Sequence, residues 1–272
     1  MIVRVAHSPD PDDAFMFYAL VKGRIESEFE FVNVTQDIET LNRKALEGEY
    51  EVTAVSIHAY PYVAERYALL GCGASMGDGY GPVVVAREEL DSLKGKKVAV
   101  PGKLTSAYLA LRLYESSFSV VEVPFDHIPE AVASGRVDAG VLIHEGQLTY
   151  SELGLVKLVD LGEWWCRETS LPLPLGGNAI KRDLGEEVMH RVARCLRKSI
   201  RYALEHEEEA LEYAIGFARG LDREKNRRFV RMYVNEYTLD YGERGREAVR
   251  LFLRKGYEAG VLPRYVEPEF IG

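Results

Sequence analysis

Several things are scarce in this chain, and each scarcity removes a class of protein. Cysteine occurs 3 times in 272 residues, at Cys72, Cys166 and Cys195, with no Cys-x-x-Cys pair and no ligand-like spacing. That excludes a disulfide scaffold and a thiolate-built metal site, and leaves reduced structural thiols. Positive charge is in deficit: 34 Lys and Arg against 43 Asp and Glu give a formal net charge of −9. The sign is wrong for a nucleic-acid or anionic-membrane partner. No apolar run is long enough to span a bilayer. Met1-Ile-Val-Arg-Val-Ala-His-Ser runs straight into a strand-like segment, with no basic stretch followed by an apolar one, so a cytoplasmic protein is expected. No basic helix-turn-helix precedes Ile2, which argues against the effector-sensing domain of a regulator. Internal repeats and low-complexity tracts are also missing.

What remains is an ordinary globular composition, 47% hydrophobic and 28% charged, long enough for one large or two medium cores. The stretch Ser134–Tyr150 organises the rest. Val137 to Ile143 is short, apolar and β-branched, bounded by Gly135 and Gly146, and reads as a buried strand. His144 and Glu145 follow where that strand ends. In an open α/β sheet, ligands sit beyond the carboxyl ends of the strands, and a histidine there can titrate near neutral pH. A lone strand-end histidine is more commonly bonded to a loop carbonyl. What favours function is a set of polar groups at equivalent strand ends.

Those groups appear as the chain is followed. Ile2 to Ala6 is a strand ending at His7-Ser8, and Pro9-Asp10-Pro11-Asp12-Asp13 is a turn whose aspartates can cap a helix from Ala14 to Lys22. Ser8 and the amides around Asp13 then face the crevice. Phe29 to Val34 is a strand with one wetter face, and Asp37 caps a helix through Glu47. Tyr50 to Val55 is a third strand with Ser56 at its end. The Gly-rich run Gly71 to Gly81 fits neither G-x-G-x-x-G nor the P-loop pattern and precedes a strand, Pro82 to Ala86; a flexible connection is expected. Leu93 to Gly102 opens a second domain as turn plus strand, and a helix begins near Thr105. Thr105 and Ser106 can cap that helix or join its amides in holding an anion, and one turn can do both.

Further on, Val120 to Phe125 is a strand and Ile128 to Ala133 a short helix. After Tyr150 come a strand (Val156 to Val159) and an aromatic helix around Trp164 and Trp165. Leu171 to Asn178 is extended by its prolines and reads as the return crossing. From Gly185 the pattern is helical: Glu186 to His206, Glu207 to Gly220, Arg223 to Val234 and Glu243 to Ala259. Two α/β lobes joined by two crossings, with a small-molecule cleft between them, are expected. The larger lobe takes 1–86 with 175–272, and the smaller 87–174.

Five blocks together resemble the 1,4-dihydroxy-6-naphthoate synthases of the futalosine route to menaquinone: Ser8-Pro-Asp-Pro-Asp-Asp-Ala-Phe, Leu93-Lys-Gly-Lys-Lys-Val-Ala-Val-Pro-Gly, Ile143-His-Glu-Gly-Gln-Leu-Thr-Tyr, Leu171-Pro-Leu-Pro-Leu-Gly and Tyr233-Val-Asn-Glu-Tyr-Thr-Leu-Asp-Tyr-Gly. The likeness runs from Ile2 to about Leu251. The first and third blocks carry most of it, since the Lys-Gly-Lys-Lys segment is shared with many two-lobed solute-binding proteins. The resemblance implies an α/β, two-lobed periplasmic-binding-protein-like fold of the second type, with a central cleft and a helical C-terminal segment. It implies a cytoplasmic carbon–carbon lyase that needs no organic cofactor and no metal. Cyclic dehypoxanthine futalosine, a small carboxylate, would give 1,4-dihydroxy-6-naphthoate and dihydroxyacetone. His144 falls on the family's proposed base, and substrate contacts fall on Ala54, Val55, Ser56, Thr105 and Ser106. Two departures stand out. The first block commonly reads Ser-Pro-Cys-Pro-Asn-Asp-Thr-Phe, where this chain has Asp10, Asp12 and Ala14, and a member of the family has Lys at the place of Ala54. The competing expectations are a solute-binding protein for a small carboxylate without catalysis, and a same-fold enzyme such as the chorismate dehydratase of the same pathway.

Overall fold

The computed structural model describes residues 1–217 and 222–272. Its apolar runs form two sheets. The larger contains β1 (Ile2–His7), β2 (Glu30–Thr35), β3 (Val52–Ser56), β4 (Tyr67–Leu70) and β5 (Ser75–Gly77). The smaller contains β6 (Val83–Ala86), β7 (Lys97–Val100), β8 (Ser119–Glu122), β9 (Ala139–Leu142) and β10 (Val156–Asp160). The chain then returns to the larger sheet with β11 (Leu173–Lys181) and closes it with β12 (Phe270–Ile271). The larger sheet runs β12-β4-β11-β3-β1-β2 with β5 added to β11, and the smaller runs β10-β6-β9-β7-β8. Inner strands β3, β6 and β9 are buried at every residue, as continuous apolar runs covered on both faces must be.

Register places the polar strand ends together. β1 pairs in parallel with β2 and β3, and β7 in parallel with β8 and β9. The carboxyl ends of β1, β3, β7 and β9 therefore deliver Ser8, Ser56, Thr105 and His144 to the space between the sheets. β11 runs antiparallel to β3, setting Gly177 opposite Val55 and Gly176 opposite Ser56. Pro174 lies where the pairing of β11 with β5 shifts register, a place where a missing N–H is tolerated.

Three expectations change. Val83–Ala86, placed in the first lobe by a boundary at 86/87, pairs with β9 and β10 and so belongs to the smaller sheet. Its Val-Val-Val-Ala core suits either lobe, and only the pairing decides. The Gly71–Gly81 run is a buried wall rather than a flexible connection: Ser75–Gly77 is a strand of the larger sheet, and Gly73 and Ser75 line the cleft. The first crossing also passes very close to the start of the helix Leu161–Thr169. A Cβ on Gly162 would lie 1.9 Å from the carbonyl oxygen of Tyr80, so the backbone approach requires glycine there. The helix Pro11–Val21 starts at Asp10 without any side-chain cap bond, because the carboxylates of that turn are used elsewhere.

The C-terminal helices, Glu186–Glu205, Glu207–Ile215, Arg223–Tyr233, Glu236–Leu239 and Gly242–Glu258, pack on the larger lobe and the crossings. The end expected at Gly220 for the second of them lies outside the described residues. Helix Leu161–Thr169 buries Trp165 against Phe252 with ring centroids 5.3 Å apart, and the indole donates to the Pro172 carbonyl at 3.1 Å. The core thereby continues from lobe to lobe behind the cleft.

Candidate active site

Between the sheets lies a cleft lined by strand ends and helix starts of both lobes. Ser8, Ala54, Val55, Ser56, Thr105, Ser106 and His144, the residues singled out from the sequence, all line it. His7 and His58 do not, although both follow strands. His7 is wholly buried, stacks on Phe17 and pairs its Nδ1 with the Ser8 carbonyl at 2.7 Å. His58 pairs Nδ1 with the Thr105 carbonyl at 3.1 Å, and burial pushes its pKa down to about 4. His144 is thus the histidine at the cleft.

Its geometry is distinctive. Residue 144 has φ of 53°, a conformation a non-glycine side chain holds only at a cost. Nδ1 lies 3.2 Å from Oδ2 of Asp10, whose side chain is 3% exposed. The His144 ring is 18% exposed and sits edge-on to Phe125. A carboxylate at Nδ1 fixes the proton there and leaves the Nε2 lone pair for the cleft, the arrangement that orients a general base.

The remaining turn residues are carboxyls with unequal partners. Asp13 accepts from the amide of Ser8 at 3.0 Å and from its hydroxyl at 2.6 Å. Burial pushes the Asp13 carboxyl up, and His7 and the Ser8 bonds partly offset this. Asp12 is pushed well above the usual carboxylate range, by burial first and then by Asp13 and Asp10. No lysine or arginine lines the cleft among the described residues.

The hydroxyls differ in what they can still offer. Thr105 donates to the Gly102 carbonyl at 2.8 Å and accepts from the Tyr108 amide, a true N-cap of the helix Ser106–Tyr114. Ser106 donates to the Leu175 carbonyl at 2.5 Å and accepts from the His58 amide at 3.2 Å. Both hydroxyl hydrogens are committed, so the anion-binding capacity of this turn rests on its first-turn amides, Ser106 and Ala107, which have no intrahelical acceptor. Ser56 is different. Asn42 donates to its oxygen at 3.0 Å and accepts from its amide at 2.8 Å, which leaves the Ser56 hydrogen for a ligand.

Sequence reasoning passed over three residues of the wall, Asp12, Gln147 and Tyr233, and over Asp10, which pairs with His144. Asp10 and Asp12 were read as caps, because an Asp-rich turn before a helix ordinarily caps it. Gln147 and Tyr233 meet across the lobes, with the Tyr233 phenol 2.7 Å from the Gln147 side-chain amide; burial drives the phenol's pKa up. Both stand in blocks that carried the family resemblance, which was the available signal. Among the described residues, no group of three or more His, Cys, Asp or Glu side chains could hold a metal ion, and no helix is long and apolar enough to cross a membrane.

Two α/β lobes whose strand ends meet at a cleft define the periplasmic-binding-protein-like class. A zinc-bound ligand-binding component of an ABC-type import system from Staphylococcus aureus superposes with a TM-score of 0.74 at 12% identity, covering 100% of this chain and 96% of that one. The alkanesulfonate-binding protein SsuA from Xanthomonas axonopodis pv. citri, bound to MOPS, gives 0.69 at 13%, covering 98% and 96%. These two show the fold alone. A crystal structure of a protein from Archaeoglobus fulgidus is far nearer, with a TM-score of 0.93 and 51% identity over 96% of this chain and 98% of that one. Residues 3–258 match the family model described as menaquinone biosynthesis. The 1,4-dihydroxy-6-naphthoate synthase of Thermus thermophilus is 46% identical over 99% of both chains, and that of Streptomyces coelicolor 39% over 96% of this chain and 95% of its own. The chain belongs to the 1,4-dihydroxy-6-naphthoate synthase family of menaquinone biosynthesis and is an enzyme.

Proposed function

We propose that the protein is a carbon–carbon lyase that splits cyclic dehypoxanthine futalosine into 1,4-dihydroxy-6-naphthoate and dihydroxyacetone, with His144 as general base. The observation that carries this reading is the pairing of His144 with the buried Asp10 at the edge of the cleft between the sheets. Nε2 takes the proton of a substrate hydroxyl. The O–H electron pair becomes the carbonyl of the departing three-carbon fragment, and the broken carbon–carbon pair moves into the ring that becomes aromatic. No external oxidant or reductant enters the balance. The aryl carboxylate is held by the Ser106 and Ala107 amides with the Ser56 hydroxyl, and the lobes exclude water from the reacting end. As a biosynthetic enzyme of this kind it works in the cytoplasm.

The test is direct incubation of purified protein with cyclic dehypoxanthine futalosine. Appearance of the naphthoate and dihydroxyacetone in equal amounts is expected. An intact substrate, with the protein folded and the ligand bound, would refute the lyase reading and leave a binding protein.

A further inference from the structure

Asp12 is the polar group of the cleft that the proposed reaction has not used. It is 7% exposed, lines the cleft, and its Oδ1 is buried with no hydrogen-bond partner. It forms no ion pair within reach of a lysine or arginine, and none of either lines the cleft among the described residues. The titratable groups around it are Asp10 and Asp13 on its own turn, His7 at the end of β1, His144 beyond β9 and Tyr233 on the helix Arg223–Tyr233. Asp10 already serves His144 and Asp13 already serves Ser8. A third ionised carboxylate in so enclosed a turn would face two like charges without a counter-ion. A carboxylic acid meets no such objection, and its O–H is a donor at the wall of the cleft.

We propose that Asp12 acts as a neutral carboxylic acid that donates a hydrogen bond to the substrate's acceptor oxygen, the oxygen onto which charge moves as the carbon–carbon bond breaks. This rests on the lyase reading and deepens it. His144 removes the hydroxyl proton, the C–C electron pair passes into the ring toward a conjugated carbonyl oxygen, and the Asp12 O–H stabilises the negative charge gathering there. No bond to Asp12 forms. A base and a neutral acid lining one cleft is a recurring way to run both halves of such chemistry near neutral pH.

Two variants and one spectrum test the idea. Asp12→Ala removes the donor and should lower kcat about a hundredfold with a smaller change in KM. Asp12→Asn keeps an N–H donor of similar reach and should recover most of that loss. The burial that raises the Asp12 pKa predicts a fall in kcat on the alkaline side as the acid ionises, and Asp12→Asn should abolish that fall. Equal losses in Asn and Ala, or no loss in Ala, would overturn the donor role. Independently of any ligand, the infrared difference between unmodified and Asp12→Asn protein at pH 7 should show the carbonyl stretch of a protonated carboxyl. A carboxylate band in its place overturns the proposal while leaving the lyase reading intact. Failure to turn over the futalosine substrate, with the protonated band present, counts against the lyase reading instead.

Discussion

His144 holds φ of 53° without being glycine, and that conformation aims its ring across the cleft mouth at Asp10. Asparagine tolerates the same backbone region and cannot accept a proton near neutral pH. His144→Asn should therefore cut turnover roughly 10²–10⁴-fold while the melting temperature and naphthoate binding persist. Near-normal turnover would remove the assignment of the base. Asp10 touches only the imidazole in this scheme and is a positioning residue, so Asp10→Asn should lower kcat with little effect on KM. His58 carries a separate, structural consequence. Its folded-state pKa of about 4 lies below the ordinary value of 6.5, so the folded state prefers the neutral ring. Its stabilising contribution is complete above pH 6.5 and is lost as pH falls toward 4, to a total of roughly 3 kcal/mol. His58→Asn, which can still donate to the Thr105 carbonyl, should flatten that acid-side loss in urea titrations at pH 7 and 4.5. The same pH dependence in both proteins would acquit His58.

At the level of elements, the helix Ser106–Tyr114 does two jobs with one turn. The Thr105 hydroxyl bridges the Gly102 carbonyl and the Tyr108 amide, so Thr105→Ala should cost about 1 kcal/mol of stability. Affinity for the naphthoate should change little, because in the proposed site the amides and not this hydroxyl hold the anion. A large affinity loss at unchanged stability would show that the hydroxyl itself binds. The crossing between sheets makes a different demand. With the Tyr80 carbonyl 1.9 Å from where a Cβ would stand on Gly162, Gly162→Ala must displace the first crossing from the helix Leu161–Thr169. The expected destabilisation is about 1–3 kcal/mol, read by chemical denaturation; no change would mean that the crossing packs loosely on this helix. The sequence shows the strand–helix alternation of both lobes and the helix Leu161–Thr169 around Trp164 and Trp165, because period and cap residues are local properties. It could not show that Val83–Ala86 joins the smaller sheet, since sheet membership is set by a partner strand.

Across the whole molecule, the lobes meet through groups on opposite sides of the cleft. Ser106 donates to the Leu175 carbonyl, the Leu104 amide to Glu39 at 3.2 Å, and Tyr233 pairs with Gln147. The exposed Lys225–Glu152 pair at 2.9 Å adds little. The shared core around Trp165 and Phe252 joins the lobes behind the cleft, and the two crossings near Pro82 and Leu171 are continuous chain. Closure about those crossings is the expected motion. Small-angle scattering should show a smaller radius of gyration when the site is saturated with 1,4-dihydroxy-6-naphthoate. An unchanged radius at saturation would mean the lobes are already locked without ligand.

By itself the sequence determined the α/β alternation, the strand ends carrying Ser8, Ser56 and His144, and the family, because periodicity, β-branching and motif spacing are properties of contiguous residues. The tertiary structure alone decided which of those groups are free to act. Asp10 reads as a helix cap until β9 brings His144 to it. Thr105 and Ser106 read as open donors until Gly102 and Leu175 take their hydrogens. Asp12 is one more turn aspartate until folding buries it in a cleft that no lysine or arginine among the described residues lines. Partners remote in sequence and loss of solvent decide such questions, and a run of residues encodes neither until the chain has folded.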